Sequence, residues 1–464
     1  MNQFDVIIIG GGPSGSTAAT LLSQKGYRVL LLEKEKFPRE HVGESLIPAS
    51  YDGLLKLGVI EGLEKISSRK PGVNFIANDG KSQSLWCFKN VVKDKSYLSF
   101  HVKRSEFDKL LLDNSKKNGA HVMEQHAVKH VNLDREDGIV EVRATDEKGS
   151  TKEFTAKFLI DASGLSTFLG SKLGVKKPVK DLDRVALFTH WSGANYDSVL
   201  KEGAIKIVYL SNEEKKGWVW VIPISKDCLS IGVVINNSFL KQEKLKYSDK
   251  EDWKREFYMN EIRSSDAVNK LLANAKELHK VQIQGDYSYF CENKYGNNYA
   301  MIGDAGAFLD PIFSSGIFVG MHSAQLVAEA LHNKFTYGDT KLLDDVFVNI
   351  NGAVKLLEKF IKLFYSDENM NFSQMGNPEE LLKFKESESI YTIFHFLLAG
   401  DFFANYEKYS IFLDTMRDPK MLSKFKNLIN HSKDYTDNAS CGESFEDMYD
   451  AMTHKIEFDQ TALL

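Results

Sequence analysis

A glycine turn followed by an acidic strand end is the first group of residues whose types and spacing indicate a chemistry. Gly10, Gly12 and Gly15 stand in the spacing G-x-G-x-x-G, between a β-branched run and an alanine-rich stretch. In such a turn the first glycine permits the tight bend, the second lets the backbone approach a pyrophosphate, and the third lets the helix pack closely on the strand. Glu33, about twenty residues further on, can accept hydrogen bonds from ribose hydroxyls. The group predicts a dinucleotide site.

Two later carboxylates stand at the ends of predicted strands. Asp161 opens the segment "DASG", and Asp304 lies within "GDA". A carboxylate at the C-terminal end of a parallel strand lies in the crevice where such sheets bind ligands. Asp304 can accept hydrogen bonds from a ribityl chain, and a helix that starts near Gly316 can present N–H groups to an electron-rich ring edge. These features suit a flavin.

The elements that position these residues are predicted from hydrophobic patterning. The runs 6–9 and 29–32 are continuously apolar, as in strands buried on both faces of a parallel sheet. Strand signals in 73–98 and 182–285 predict a second, largely antiparallel sheet, and the pattern turns helical beyond residue 335. The expected fold is α/β. A Rossmann-like FAD-binding domain (1–72, 99–181 and 286–335) carries an inserted substrate-side sheet domain (73–98 and 182–285), and a C-terminal helical region (336–464) follows.

Composition limits the class of protein. The chain has 464 residues, which is more than a single core usually holds, so we expect two or three structural units. Its net charge of −5 provides no basic surface for nucleic acid. The four cysteines lie far apart without metal-binding spacing, and we expect reduced thiols. The sequence shows neither a signal peptide nor an apolar run of the roughly 18 residues that a membrane span requires. We expect a cytoplasmic enzyme.

Four segments in a fixed order carry a family resemblance. They are "REHVGESLIP", "RKPG", "GWVWVIPI" and "DPIFSSG". Within the FAD-binding proteins typified by the aromatic hydroxylases, this order resembles the flavin-dependent halogenases, over about residues 1–335. The likeness is to the subgroup that chlorinates pyrrole and phenol rings, often on a carrier protein. It implies FAD used as FADH2, together with O2 and chloride or bromide. A second G-x-G-x-x-G is absent, which implies that a separate reductase supplies the reduced flavin.

The glycine turn, the strand ends and the resemblance together assign the cofactor site. The expected FAD-binding residues are Gly10, Gly12, Pro13, Ser14, Gly15, Glu33, Lys34, Arg39, Val42, Gly43, Glu44, Ser45, Arg104, Asp161, Gly164, Gly303, Asp304, Pro311, Gly316 and Ile317. The N–H groups of Ser315 and Gly316, at a helix start, are the expected halide site, and the Ser315 side chain is a candidate helix cap. The same helix start serves FAD in hydroxylases that bind no halide. His41 and Glu44 are either polar loop residues or groups that tune the flavin.

Lys70, in the motif Lys70-Pro71-Gly72, is the catalytic lysine that the resemblance implies. Hypohalous acid formed at the flavin would travel to this lysine, which would hydrogen-bond it or hold it as a haloamine beside the aromatic carbon. Burial would lower the lysine pKa and make both the ammonium and the amine accessible. Pro71 disfavours helical geometry at Lys70, so the side chain can project from a strand or loop.

Trp218 and Trp220 are the other two residues for which we expect a catalytic role. Strand alternation sends both indoles and Ile222 to one face. The indoles either pack in a core or form a wall that keeps the substrate ring from the flavin, so that a small oxidant passes while the substrate does not.

Other reactions fit the same scaffold. They are hydroxylation, epoxidation and reduction of isoprenoid double bonds; a non-catalytic FAD-fold binding protein is a third class. The small aromatic substrate also stays open between a free phenol, a resorcinol-type polyketide and a carrier-bound pyrrole.

Overall fold

The structure is a computed structural model of the chain. It describes residues 3–194, 203–210, 215–225, 227–247, 250–285, 288–366, 371–375, 385–418, 420, 423 and 441. Of residues 385–390 it describes the backbone alone.

The described residues form strands and helices throughout. The strands are β1 (Gln3–Ile9), β2 (Val29–Leu32), β3 (Ser67–Lys70), β4 (Gly72–Ile76), β5 (Gln83–Cys87), β6 (Ser99–Val102), β7 (His121–Met123), β8 (His126–Asn132), β9 (Val140–Asp146), β10 (Thr151–Asp161), β11 (Lys176–Pro178), β12 (Arg184–Ser192), β13 (Ile205–Tyr209), β14 (Trp218–Ser225), β15 (Cys228–Asn236), β16 (Lys276–Glu277), β17 (Gln282–Gln284), β18 (Tyr289–Cys291), β19 (Tyr299–Met301) and β20 (Ala307–Phe308). The α-helices are α1 (Pro13–Gln24), α2 (Tyr51–Lys56), α3 (Ile60–Glu64), α4 (Arg104–Lys117), α5 (Phe168–Lys172), α6 (Asn237–Lys244), α7 (Trp253–Arg263), α8 (Asp266–Leu271), α9 (Gly316–Tyr337), α10 (Lys341–Phe364), α11 (Lys385–Ala399) and α12 (Tyr406–Thr415).

The first sheet has the order β7-β2-β1-β10-β9-β8, with β19 also paired to β10. The strands β7, β2, β1, β10 and β19 run parallel, and β9 pairs antiparallel with both β10 and β8. In β1, Val6 and Ile8 belong to one hydrophobic core while Ile7 and Ile9 belong to another. Both faces of the strand are therefore buried, which explains its continuous apolar run.

Helix α1 lies unusually close to the first strand. A Cβ placed on Gly15 would lie 1.9 Å from the Gly10 carbonyl oxygen, so a larger residue would push the helix away. Gly10 itself has φ +100°, a conformation that favours glycine. The turn therefore brings the N-terminus of α1 to the carboxyl end of β1.

The second sheet has the order β16-β12-β15-β14-β13-β4-β5, with β17 paired to β12. Its described pairs are antiparallel except for β13 with β4. On β14, Trp218, Trp220 and Ile222 face the large core, while Val219 and Val221 face a separate core that includes residues of α7 and α8. The alternation predicted for the two indoles is confirmed.

Helices dominate the described residues after 315. Helix α9 packs on α1, and α10 packs on α9 and α12. Both fold predictions, the α/β FAD-binding class and the second, largely antiparallel sheet, are confirmed; the boundaries that divide the chain into domains stay a prediction. Within the described residues, no helix has the length and apolarity needed to cross a membrane.

The cysteine prediction is wrong for one pair. Cys87 at the end of β5 forms a disulfide with Cys441, across a sequence separation of 354 residues and with a Cα–Cα distance of 5.5 Å. The sequence spacing misled because the fold brings these distant positions together. Cys228 and Cys291 are free thiols, as expected.

Gly232 on β15 leaves the space that the Trp220 ring fills. A Cβ on Gly232 would lie 2.2 Å from that ring. We therefore expect Gly232→Ala to lower the free energy of unfolding by about 1–3 kcal/mol, the usual cost of overpacking a core. Urea unfolding followed by tryptophan fluorescence measures this. Gly285→Ala, where an added Cβ meets nothing within 4 Å, is the matched control. Equal stability of the two variants would contradict the packing argument.

Candidate active site

A cleft opens at the carboxyl ends of the parallel strands. We call it the strand-end cleft; its lining residues are Gly10, Gly12, Pro13, Ser14, Glu33, Lys34, Glu35, Arg39, Glu40, His41, Arg104, Ala162, Ser163, Gly164, Leu165, Ser166, Gln284, Ile302, Asp304, Gly316 and Ile317. The predicted site residues from the glycine turn, from the ends of β2 and β10, and from the start of α9 meet here. The carboxyl ends of the parallel strands thus bring together residues that lie as far apart in the sequence as Gly10 and Ile317.

Glu33 shapes the glycine turn as well as lining the cleft. Its Oε2 accepts a hydrogen bond from the Gly11 N–H at 2.7 Å, and its Oε1 accepts one from the Glu35 N–H at 2.8 Å. Across the cleft, a guanidinium nitrogen of Arg39 lies 3.2 Å from Asp108, whose side chain is fully buried. A carboxylate and a guanidinium therefore flank the turn, as a ribose and a pyrophosphate would require.

Asp161 does not line the cleft, contrary to the expectation of direct cofactor contact. It is fully buried, and its carboxylate accepts N–H hydrogen bonds from Ser163 at 2.9 Å and Leu169 at 2.7 Å. Asp161 therefore shapes the turn that carries Gly164, which has φ +63°. Gly15 and Gly303 likewise allow close packing: a Cβ on Gly303 would lie 2.6 Å from the Ser14 hydroxyl oxygen.

Asp304 lines this cleft and a second cavity beside it. Burial raises its pKa to about 6, and the nearby charge of Arg104 opposes that rise. Arg104 is held by Asp108 at 2.7 and 2.9 Å, and it donates to the backbone oxygens of Val42 at 2.5 Å and Gly43 at 3.2 Å. Arg104 therefore fixes the 42–45 loop over the junction of the two cavities.

The second cavity contains both indoles, and we call it the indole cavity. It is lined by His41, Val42, Gly43, Glu44, Ser45, Arg104, Leu165, Ile205, Trp218, Trp220, Ile222, Asp304, Phe308, Pro311, Ser314, Gly316 and Ile317. The rings of Trp218 and Trp220 lie 5.9 Å apart with their planes at 51°. Hydrogen bonds hold both indole N–H groups: Trp218 donates to Tyr365 at 2.7 Å and Trp220 to Ser230 at 3.1 Å. The indoles form one fixed, mostly apolar wall.

Glu44 has a partner that the sequence did not reveal. Its Oε1 lies 2.6 Å from His190 Nε2 on β12 of the second sheet. Burial lowers the pKa of His190, but the hydrogen bond and charge of Glu44 outweigh it, and the net pKa is raised. His41 Nδ1 lies 2.7 Å from the Val42 carbonyl oxygen and 3.3 Å from the Arg104 guanidinium. The 41–45 loop is thus anchored to the second sheet through Glu44 and to helix α4 through Arg104.

The loop before α9 runs from Asp310 to Ser315. Ser314 has φ +55°, and Ser315 stands at the N-cap position of α9 without a side-chain capping hydrogen bond. The expected cap by the Ser315 side chain is therefore wrong, although the backbone position is correct. Gly316 lines both cavities, and Ser315 is buried behind them.

The chain is similar in sequence and in structure to known proteins. Residues 3–346 match the family model described as FAD binding domain. The chain is 33% identical over 329 residues to a tryptophan 2-halogenase of Chondromyces crocatus, covering 70% of this chain and 60% of that protein. It is 31% identical over 390 residues to a 1H-pyrrole-2-carbonyl-(peptidyl-carrier protein) chlorinase of Pseudomonas fluorescens, covering 78% of this chain and 84% of that protein. The chain belongs to the flavin-dependent halogenases. A triple mutant of the flavin-dependent brominase Bmp2 aligns with a TM-score of 0.75 and 28% identity, over 90% of this chain and 99% of that one.

The residues of this halogenase-family chain fit FAD, the cofactor of the family. A Cβ on Gly12 would meet only the Arg39 side chain, at 3.7 Å, so the backbone is open to a pyrophosphate. Glu33 lines the part of the strand-end cleft where it could bind a ribose. The carboxyl of Asp304 lines both cavities, where a ribityl chain would pass. Arg39 and Lys34 add positive charge for phosphates.

Lys70, the predicted catalytic lysine, has surroundings very different from those of a solvent-exposed lysine. It ends β3, is fully buried, and donates from Nζ to the Leu46 carbonyl at 2.9 Å, with the Phe88 ring 5.6 Å away. Burial lowers its pKa to about 7. Lys70 is not among the described residues that line either cavity, but its strand is tied to β14, because the Ser68 hydroxyl donates to the Pro223 carbonyl at 2.6 Å.

His101 is a buried neighbour of Lys70 that sequence reasoning missed. Burial, together with the Lys70 charge, lowers the pKa of its imidazole to about 3, so the ring is neutral. One ring nitrogen lies 2.8 Å from the Gly203 carbonyl oxygen. Since His101 lies on β6 beside β3, its position follows from strand pairing that the sequence does not specify.

The buried amine predicts a distinct pH dependence of stability. An unfolded lysine keeps its proton up to about pH 10.5, whereas folded Lys70 loses it near pH 7. The unfolded state binds more protons between these values, so stability rises with pH across this window. Relative to Lys70→Met, the wild-type free energy of unfolding should gain up to about 4–5 kcal/mol from pH 7 to 10.5. Urea unfolding of the FAD-loaded protein at several pH values measures this.

Lys65→Met is the control for this measurement, because Lys65 is exposed. Its stability should follow the wild-type curve at every pH. Parallel curves for the wild type and Lys70→Met would show that the ammonium of Lys70 is not destabilised by burial.

Proposed function

We propose that the chain is a two-component halogenase in secondary-metabolite biosynthesis that transfers chlorine or bromine to an electron-rich aromatic ring through Lys70. FAD, when bound and reduced, supplies the reaction of O2 with halide that yields hypohalous acid. The observation that carries the proposal is a fully buried amine with its pKa near 7, on a strand tied to the indole-bearing strand. That amine is the one feature that an FAD-binding hydroxylase would not need.

Lys70 has two ways to act on hypohalous acid. As an ammonium it donates a hydrogen bond that polarises the O–X bond. As an amine it forms an N–X bond while the O–X bond breaks, and the departing hydroxide takes an amine proton and leaves as water. The halogen then passes to the ring carbon, which loses its proton, and the amine is restored. A pKa of about 7 makes both forms available near neutral pH. In the structure the Leu46 carbonyl accepts from Nζ, so the remaining N–H directions or the lone pair can serve the oxidant.

The start of α9 is the proposed halide site. Ser315 is the N-cap residue and Gly316 the first residue of a long helix, whose unpaired N–H groups and dipole favour an anion. Gly316 lines the indole cavity, and we place the flavin ring of the bound cofactor beside it. The oxidant would therefore form between this helix start and the two indoles.

Trp218 and Trp220 are proposed to favour halogenation over hydroxylation by keeping the substrate away from the flavin. Both are almost fully buried, and they line the same cavity as the 42–45 loop. An aromatic substrate kept behind this wall cannot reach the flavin, whereas hypohalous acid is small enough to move along it. The wall would thus select halogenation over hydroxylation.

A pyrrole-2-carbonyl group on a carrier protein is the substrate we favour. The support is the likeness to the pyrrole-carbonyl carrier-protein chlorinase of Pseudomonas fluorescens, which extends over 84% of that protein. We propose further that a separate reductase supplies reduced flavin and that the enzyme works in the cytoplasm. Free phenols and resorcinols are the competing substrates.

The decisive experiment supplies reduced FAD, O2 and chloride or bromide with three acceptors: carrier-bound pyrrole-2-carbonyl, free pyrrole-2-carboxylate and a resorcinol. We expect halogenated carrier-bound pyrrole from the wild type. Lys70→Ala should lower halogenation by at least about 100-fold, as loss of a group that acts on the reacting atoms does, while the rate of flavin reoxidation stays unchanged. Mass spectrometry and stopped-flow absorbance measure the two.

Lys65→Ala, at an exposed lysine, is the control and should keep both rates. Hydroxylated product or peroxide alone from the wild type would refute the halogenase proposal. Equal loss of halogenation and reoxidation in Lys70→Ala would instead assign Lys70 to FAD binding or structure.

The wall makes a separate prediction. Trp220→Ala should open a path between substrate and flavin, so we expect hydroxylated product to appear and the halogenated fraction to fall. Product analysis by mass spectrometry measures the ratio. Trp191→Ala is the control, since this indole is equally buried but belongs to the core on the other face of the sheet. Halogenated product alone from Trp220→Ala would show that the indole serves packing.

A further inference from the structure

Tyr365, the residue after α10, connects the indole wall to the loop before α9. Its hydroxyl oxygen accepts a hydrogen bond from the indole N–H of Trp218 at 2.7 Å. The same hydroxyl donates to Oδ2 of Asp310 at 2.7 Å. A single oxygen from the C-terminal helical region therefore joins two parts of the indole cavity that lie 92 residues apart in the chain.

Asp310 is the anchor at the loop end of this connection. It is almost fully buried, its Oδ1 accepts from the Ile312 N–H at 3.1 Å, and its own N–H donates to Ser288 at 3.1 Å. The carboxylate thus holds the first turn of the loop that leads to Ser315. Because a buried carboxylate without donors is costly, the Tyr365 hydroxyl and the Ile312 N–H together help to keep Asp310 in place.

Arg184 holds Tyr365 from the side of the second sheet. Its guanidinium lies 4.0 Å from the centre of the Tyr365 ring, and it donates to the Lys216 carbonyl at 3.1 Å. Lys216 stands two residues before Trp218. Arg184 of β12 therefore packs on the Tyr365 ring and is itself held by the segment just before β14, which restricts the movement of the hydroxyl.

We propose that Tyr365 is a positioning residue for the halide: by joining Trp218 to Asp310 it sets the distance between the indole wall and the helix start at Ser315 and Gly316. The inference rests on the proposed function, since it takes that helix start as the halide site. It gives the C-terminal helical region a part in the reaction. Tyr365 contacts neither the flavin nor the substrate in this account; it acts through the two groups that its hydroxyl joins.

Tyr365→Phe tests the proposal because it removes the hydroxyl and keeps the ring. The Trp218 N–H and the Asp310 carboxylate then lose a shared partner, and the loop can shift. We expect the KM for bromide to rise about fivefold or more, in line with the loss of a buried hydrogen-bond partner. The fraction of reduced flavin that ends as hydrogen peroxide should also rise, while the KM for the aromatic substrate stays unchanged. Product analysis and peroxide determination at varied bromide measure these quantities.

The chain offers a matched control. Tyr409 on α12 is buried, and its hydroxyl donates to Asp401 at 2.6 Å, so Tyr409→Phe deletes the same kind of tyrosine–carboxylate bond. Tyr409 lines neither of the two described cavities. This variant should match Tyr365→Phe in stability loss but keep the wild-type KM for bromide. A bromide KM that rises equally in both variants, or in neither, would overturn the positioning role.

A second measurement separates this inference from the proposed function. Bromide is titrated into the FAD-loaded protein, and its dissociation constant is read from the change in visible flavin absorbance, which needs no turnover. A weaker constant for Tyr365→Phe than for Tyr409→Phe supports the positioning role. An identical constant overturns it. If the wild type binds bromide but never halogenates, the proposed function fails instead. Trp218→Phe, which removes the donor together with part of the indole ring, should weaken bromide binding in the same direction.

Discussion

The proposed chemistry depends on the burial of one amine, that of Lys70. Taking the Lys70 ammonium out of water costs free energy, and a single carbonyl and one aromatic ring offset only part of that cost. Its pKa falls to about 7 as a result. The rest of the architecture maintains this dry position, since the paired strands β3 and β6 and the adjoining end of β14 surround it. A solvated lysine would have the same atoms but would stay protonated.

Much of the fold could be predicted from the sequence because its signals are local. The continuous apolar run of β1 and the glycine turn predict the strand, the helix start and their close contact from neighbouring residues alone. The alternation on β14 likewise placed Trp218, Trp220 and Ile222 on one face. Most of the predicted cofactor residues line the two cavities for the same reason: they stand at strand ends or helix starts of one parallel sheet.

The remaining features depend on contacts between distant segments. His190 meets Glu44 because the second sheet packs over the 41–45 loop. Tyr365 reaches Trp218 from the residue that follows α10, 147 positions further along the chain. Asp161 and Ser315 were placed correctly along the chain, but the direction of their hydrogen bonds follows from turn geometry rather than residue type. The pairing of Cys87 with Cys441 belongs to the same group, because sequence separation carries no information about proximity.

That disulfide turns residues 87–441 into a covalent ring, with the glycine turn and Lys70 outside it. Cys87 pairs in register with Gly72, two residues from Lys70, so one end of the ring is closed beside the buried amine. A link across so long a segment restricts the unfolded chain much more than the folded one. Disulfides persist in oxidising surroundings and are reduced by cytosolic thiols. In the cytoplasm proposed for this enzyme, the thiols of Cys87 and Cys441 would therefore be reduced, whereas oxidising surroundings would favour the closed ring.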